Sequence, residues 1–163
     1  MIVICDTSPL NYLILIELID LLPKLMPAVT APPEVLLELQ RDGASEQVRT
    51  WATKPPPWLQ LRSPAHIEPG LALHLGETAA ISLALELRGV SPVQLLIDER
   101  MGRRAAARMG LPTLGTLSVL RDAARAGLVD INDAVARLRR TRFRATDRLY
   151  DELIQSVRRG LAQ

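Results

Sequence analysis

The sequence predicts an α/β fold, a parallel sheet with helices packed on both faces. Three observations carry this. Two short continuous apolar runs, IVIC at residues 2–5 and VQLLI at residues 93–97, read as strands buried on both sides. Each run meets an acid at its end, Asp6 or Asp98, and a helical pattern follows. Strands and helices then alternate along most of the chain, the order expected of parallel pairing.

The elements follow in turn. A helix is expected from Asp6-Thr7-Ser8-Pro9 to about Asp20, with Ser8 as its cap and Pro9 in its first turn. Residues 28–30 read as a second strand. Pro32 and Pro33 open the helix EVLLELQ, which stops near Asp42-Gly43. A short helix is expected over 45–52, a loop at Pro55-Pro56-Pro57, and a strand over 58–62. Gly76 precedes a strongly apolar helix over 77–88, which Gly89 ends. Beyond Asp98-Glu99 a helix runs to Met109, LPTL reads as a strand, and Gly115-Thr116 opens another helix. Two last helices, 131–140 and 147–159, start at the caps Asp130 and Thr146 and are expected to pack on one edge of the sheet. No linker divides the chain. Residues 1–163 are expected to form one domain, with a core over about 1–128 and a helical extension over about 129–163.

With 163 residues, 48% of them hydrophobic and 23% charged, the chain can bury a sizeable core without a disulfide or structural metal. Its one cysteine, Cys5, lies in an apolar run and reads as a small buried hydrophobe. The N-terminus has no basic stretch ahead of its apolar run, unlike a signal peptide. The apolar stretch from Leu10 to Leu22 is too short to span a bilayer and carries Glu17 and Asp20. A cytoplasmic protein with no membrane partner is therefore expected. Charge is unevenly spread. Residues 1–97 carry six basic and ten acidic side chains, and residues 98–163 carry fourteen and eight. All but Lys24 and Lys54 of the basic residues are arginine, whose planar fork suits phosphate.

In open parallel sheets ligands bind beyond the carboxyl ends of the strands. Asp6 and Asp98 should both emerge there. Either alone is also explained as a helix cap or loop acid; the pair is more informative. Glu77 lies in line with Ala80, Ile81 and Ala84, so a carboxylate heads an apolar helix face. The helix N-terminus offers a structural reason for it. Glu38 borders the buried side defined by Val35, Leu36 and Leu39, and a solvated flank would explain it equally. Glu34 sits in the first turn, where the helix dipole accounts for it.

Carboxylates that converge on one point repel, and a divalent cation removes the conflict. Hard oxygen donors favour magnesium or manganese over zinc. His66 and His74 show no metal-ligand spacing and read as loop or surface residues. Magnesium bound by a few carboxylates points to phosphoester chemistry. Arg100, Arg104 and Arg108 recur on one helix face, with Arg103 nearby. They form either a solvated flank or a basic edge that guides nucleic acid to the acids. Arg137, Arg139, Arg140, Arg142 and Arg144 form a second cluster, a solvated helix end or a contact for RNA or an acidic partner.

In order along the chain, IVICDTSPLNYL, PPEVLLEL, LGETAAISLALELRG and LLIDERMGRRAAARMGLPTLGTLSVL resemble the PIN-domain (PilT N-terminus) nucleases. The likeness covers about residues 2–128 and is greatest to a branch akin to the toxins of type II toxin–antitoxin pairs. The resemblance implies a three-layer α/β/α sandwich and Mg2+- or Mn2+-dependent hydrolysis of RNA phosphodiesters. It implies metal-binding, catalytic acids at Asp6, Glu38, Glu77 and Asp98. Glu99 departs from the second aspartate often found there. Ser8 and Thr116 resemble hydroxyl positions that orient water. An RNA substrate, a cognate antitoxin and a homodimer are further expectations of the resemblance. A catalytically inactive RNA- or protein-binding module with the same fold is the main alternative. A receiver-type phosphoacceptor ranks below both, because neither Lys24 nor Lys54 is placed at a strand end for it.

Overall fold

The computed structural model describes residues 1–161. Five strands, β1 (Ile2–Cys5), β2 (Val29–Ala31), β3 (Leu59–Leu61), β4 (Val93–Leu96) and β5 (Thr113–Leu114), form one sheet in the order β3-β2-β1-β4-β5. Every pairing is parallel. The described helices are α1 (Thr7–Leu15), α2 (Leu22–Leu25), α3 (Pro33–Leu39), α4 (Glu46–Thr53), α5 (Leu75–Leu87), α6 (Arg100–Arg108), α7 (Thr116–Arg125), α8 (Ile131–Arg139) and α9 (Asp147–Leu161), with a 3-10 turn at Ile19–Leu21.

Strand register decides which side chain faces which layer. Ile4 pairs with Leu95 and Cys5 with Leu96. Successive side chains point to opposite faces. Ile4, Leu95 and Ile97 accordingly pack with Ile81, Leu83 and Ala84 of α5 and Ala105 and Ala106 of α6. Val3, Cys5 and Leu96 join the opposite core, with Leu10 and Leu13 of α1 and Val119 and Leu120 of α7. Helices thus cover both faces, and the fold is the three-layer sandwich. Cys5 is buried, and burial raises its thiol pKa.

Several local details differ from the sequence reading, among them an α5 that begins at Leu75, so that Gly76 lies inside it rather than before it. The first helix stops at Leu15 rather than near Asp20. Glu17 takes a left-handed backbone (φ 60), while Leu18 N–H donates to Leu13 O at 2.8 Å and Glu17 N–H to Ile14 O at 3.0 Å. This is a Schellman ending built without glycine, so no glycine announced it. Asp6, not Ser8, is the residue preceding the first turn of α1. Gly89 lies beyond the end of α5 without a left-handed backbone; that conformation occurs at Gly110 and Gly127, after α6 and α7.

The last two helices pack on α7 and each other rather than merely along the sheet edge. Asp130 caps α8 by accepting from Asp133 N–H at 2.9 Å, and Thr146 Oγ1 accepts from Leu149 N–H at 3.2 Å. Ile131, Ala134, Val135, Leu138, Tyr150, Leu153 and Val157 extend the core that holds α1 and α7. Leu138→Ala is expected to lower stability by about 2–5 kcal/mol, the usual loss for an emptied leucine site. Urea unfolding should retain one cooperative transition at a lower midpoint. A separate early transition for the extension would contradict this packing.

Candidate active site

The sheet reverses its winding at β1, since β2 follows β1 on one side and β4 lies on the other. Ligands of such sheets bind at this reversal, beyond the strand ends. Asp6 leaves β1 there, its N–H donating to Leu96 O at 2.9 Å, so the ladder itself fixes its place. Asp98 leaves the neighbouring strand, one residue beyond Ile97, whose N–H donates to Leu114 O at 2.9 Å.

Asp6, Glu38, Glu77 and Glu99 line one cavity of about 320 Å³ with Ser8 and His74. Asp98, Glu99, Ser8, Arg100 and Arg103 line an adjoining cavity of about 670 Å³. Tyr12 borders both. The fold therefore brings Asp6, Glu38 and Glu77 to one cavity, and places Asp98 in the adjoining one. Arg104 and Arg108 are exposed farther along α6 and line neither cavity. His74, read as a surface residue, is exposed but precedes the first turn of α5 at the rim of the acidic cavity.

Each carboxylate is held differently. Glu38 accepts from Thr7 Oγ1 at 2.6 Å and from Gly76 N–H at 2.8 Å. Asp98 accepts from Thr116 N–H at 2.8 Å and from the Thr116 hydroxyl at 2.7 Å. That hydroxyl is buried and committed to Asp98 as a donor, so it orients a carboxylate. Glu77 accepts from His74 N–H at 3.3 Å through Oε2. Its other oxygen, Oε1, is buried without a hydrogen-bond partner among the described residues, as is Asp6 Oδ1. Leaving such acceptors dry is costly.

Burial and mutual repulsion shift these acids in one direction. Asp6 is pushed up to about 8, chiefly by burial and also by the charges of Glu77, Glu38 and Asp98; the Thr7 backbone amide opposes this. Burial likewise raises Glu77, against the His74 backbone amide. Burial raises Asp98, with the Thr116 hydrogen bonds and the Arg103 charge opposing it.

Several contributors were missed in the sequence. Thr7 was passed over for its neighbour Ser8, although a hydroxyl directly after Asp6 was a usable signal. Glu34, one turn before Glu38 on α3, also has a buried Oε2 without a partner among the described residues, but it lines neither cavity. Gly102 of α6 contributes space rather than a functional group. A Cβ there would stand 2.4 Å from Ile97 Cδ1 and 2.6 Å from Glu77 Oε1. At Gly76 a Cβ would stand 2.7 Å from both Glu38 Oε2 and Thr7 Oγ1. Both helices approach the acids so closely that a side chain would displace them.

Fold and acids define an α/β protein with an acidic ligand site at the winding reversal of a parallel sheet. A family model described as a PIN domain matches residues 2–159. The chain belongs to the PIN-domain family, whose members are generally nucleases acting on nucleic acid. The match runs through α8 and most of α9, past the 2–128 stretch that carried the resemblance. No match was found among curated proteins or solved structures. No helix of the described residues is long and apolar enough to cross a membrane.

Stability of the metal-free protein should depend on pH in the direction set by Asp6. An ordinary aspartate releases its proton near 3.8, whereas folded Asp6 keeps it to about 8. Between these values the folded chain binds more protons than the unfolded one, so stability falls as pH rises. In excess EDTA, Tm should drop from about pH 5 to about pH 8, and Asp6→Asn should flatten that drop. An identical profile for wild type and variant would contradict the assignment.

Proposed function

We propose that this chain is a metal-dependent endoribonuclease that hydrolyses RNA phosphodiester bonds. The observation that carries the reading is the pair of buried, unpartnered oxygens, Asp6 Oδ1 and Glu77 Oε1, among acids at the winding reversal of a PIN domain. Among the described residues, no three His, Cys, Asp or Glu side chains already form a cage for a metal ion. The donors fit a hard cation all the same. Magnesium commonly takes only one or two carboxylates and keeps its waters. Carboxyl groups with raised pKa values are also relieved by a cation's charge.

Asp6, Glu38 and Asp98 would hold Mg2+ or Mn2+, and Glu77 would hold metal or position water. Bound, the cation would activate water and stabilise charge at the scissile phosphate. Thr7 and Thr116 act as positioning residues by holding Glu38 and Asp98. Ser8 at the shared wall of the two cavities would orient water. Arg100 and Arg103 would attract the phosphate backbone. The same reading, extended by resemblance, makes the chain a cytoplasmic, homodimeric toxin restrained by a cognate antitoxin. A small upstream gene for a DNA-binding protein would support that extension.

Incubation of mixed RNAs with Mn2+ should give internal cleavage that excess EDTA abolishes. Asp6→Asn should fold and lose at least about 100-fold in rate, beyond the effect of outer positioning groups. Product formed in EDTA, or undiminished cleavage by Asp6→Asn, would refute the mechanism. RNA retained without product would favour the inactive binding module. Thr116→Val should instead raise the Mn2+ concentration needed for half-maximal cleavage by about 10–100-fold, because Asp98 keeps one of its two hydrogen bonds. An unchanged requirement would remove Thr116 from the mechanism.

A further inference from the structure

The turn between α8 and α9 returns to the acidic site. Its middle residue, Phe143, packs edge-on against Tyr12 of α1, with ring centroids 5.0 Å apart and planes at 89°. Thr141 stiffens the turn. Its hydroxyl donates to Leu138 O at 2.6 Å and accepts from Phe143 N–H at 3.1 Å. Arg142 and Arg144 flank Phe143, and both line the 670 Å³ cavity that holds Asp98, Arg100 and Arg103. Two segments about forty residues apart thus bring four guanidinium groups to one cavity.

These four arginines are exposed, and none forms an ion pair among the described residues. Arg62, Arg121, Arg137, Arg139 and Arg148 are all paired with carboxylates. Asp98 and Glu99 line the same cavity and offset part of this charge, yet four unpaired cations against two acids still favour an anionic ligand. Guanidinium forks match phosphate oxygens in shape as well as charge. Arg142 also lines a neighbouring cavity of about 960 Å³ with Arg137 and Arg140. Tyr12 and Arg142 border both cavities, so the two adjoin along α1, the second lined by Glu17 and Asp133 as well as by its arginines. A cavity of about 670 Å³ has room for a nucleotide-sized group.

We propose that Arg142 and Arg144 bind backbone phosphates of single-stranded RNA and, with Arg100 and Arg103, clamp the strand beside the acidic site. This rests on the endoribonuclease reading for its ligand. It gives the extension a task, that of a positioning arm rooted in the core by α8 and α9.

The test is binding of a fluorescein-labelled ten-nucleotide uridine oligomer, read by anisotropy in EDTA over a range of salt. Arg142→Gln/Arg144→Gln is expected to weaken binding at least tenfold at about 0.1 M salt. It should also reduce the slope of log K against log salt by about 1.4, about 0.7 for each lost phosphate contact. Arg158→Gln/Arg159→Gln, the same charge change on the exposed flank of α9, should leave the slope unchanged. Equal losses in both pairs would reduce the effect to net charge and overturn the proposal. Unaltered binding by Arg142→Gln/Arg144→Gln, or no binding by wild type, would overturn it too. Cleavage with Mn2+ separates the two claims. A wild type that cleaves, beside a variant that binds normally, sinks the clamp and spares the nuclease. A wild type that binds through these arginines without cleaving does the reverse.

Discussion

The structure depends on one electrostatic conflict, a buried aspartate at the end of the central strand among other acids. Asp6 cannot move away, because its N–H continues the ladder to Leu96. It is also almost wholly buried, 1% exposed, in the wall of the acidic cavity. Its proton is therefore held to about 8 by burial and by neighbouring carboxylates. A fold selected for stability alone would place an apolar residue there. Retaining the acid makes sense when a cation takes the proton's place.

The surroundings preserve that conflict rather than dissolve it. No lysine or arginine forms an ion pair with Asp6, Glu38, Glu77 or Asp98 among the described residues. Threonines and backbone amides fix Glu38 and Asp98 without neutralising them. Gly76 and Gly102 let α5 and α6 close on the carboxylates. Of the basic side chains, Arg41 lines the acidic cavity, while Arg100, Arg103, Arg142 and Arg144 line the adjoining one with Asp98. Most of these arginines thus stand beside the acidic cavity rather than in it, an arrangement suited to drawing in a polyanion.

Much of this was legible in the sequence because it is local. The runs at 2–5 and 93–97 had to be buried strands, and an acid directly after each had to emerge at the ligand-binding edge. Glu77 was legible because helical periodicity put it on an apolar face. What escaped was either nonlocal or lacked its usual signal. The end of α1 carries glutamate where glycine is customary. The close approach of the α6 backbone at Gly102 to Ile97 and Glu77, which leaves no room for a Cβ, exists only once α6 has packed. The arginine cluster that includes Arg142 and Arg144 was visible in the sequence, but its place was not: only the docking of α8 and α9 on α7 brings these residues, well over a hundred positions from Asp6, to the cavity beside the acids.

Calorimetric titration with Mn2+ near pH 7, repeated in buffers of different ionisation heat, tests the cation claim most directly. The account predicts saturable binding with net release of protons, because the cation displaces the one held by Asp6. Asp6→Asn should lose both the binding and the release. Manganese binding that is equally strong in that variant, or that liberates no proton, would contradict it.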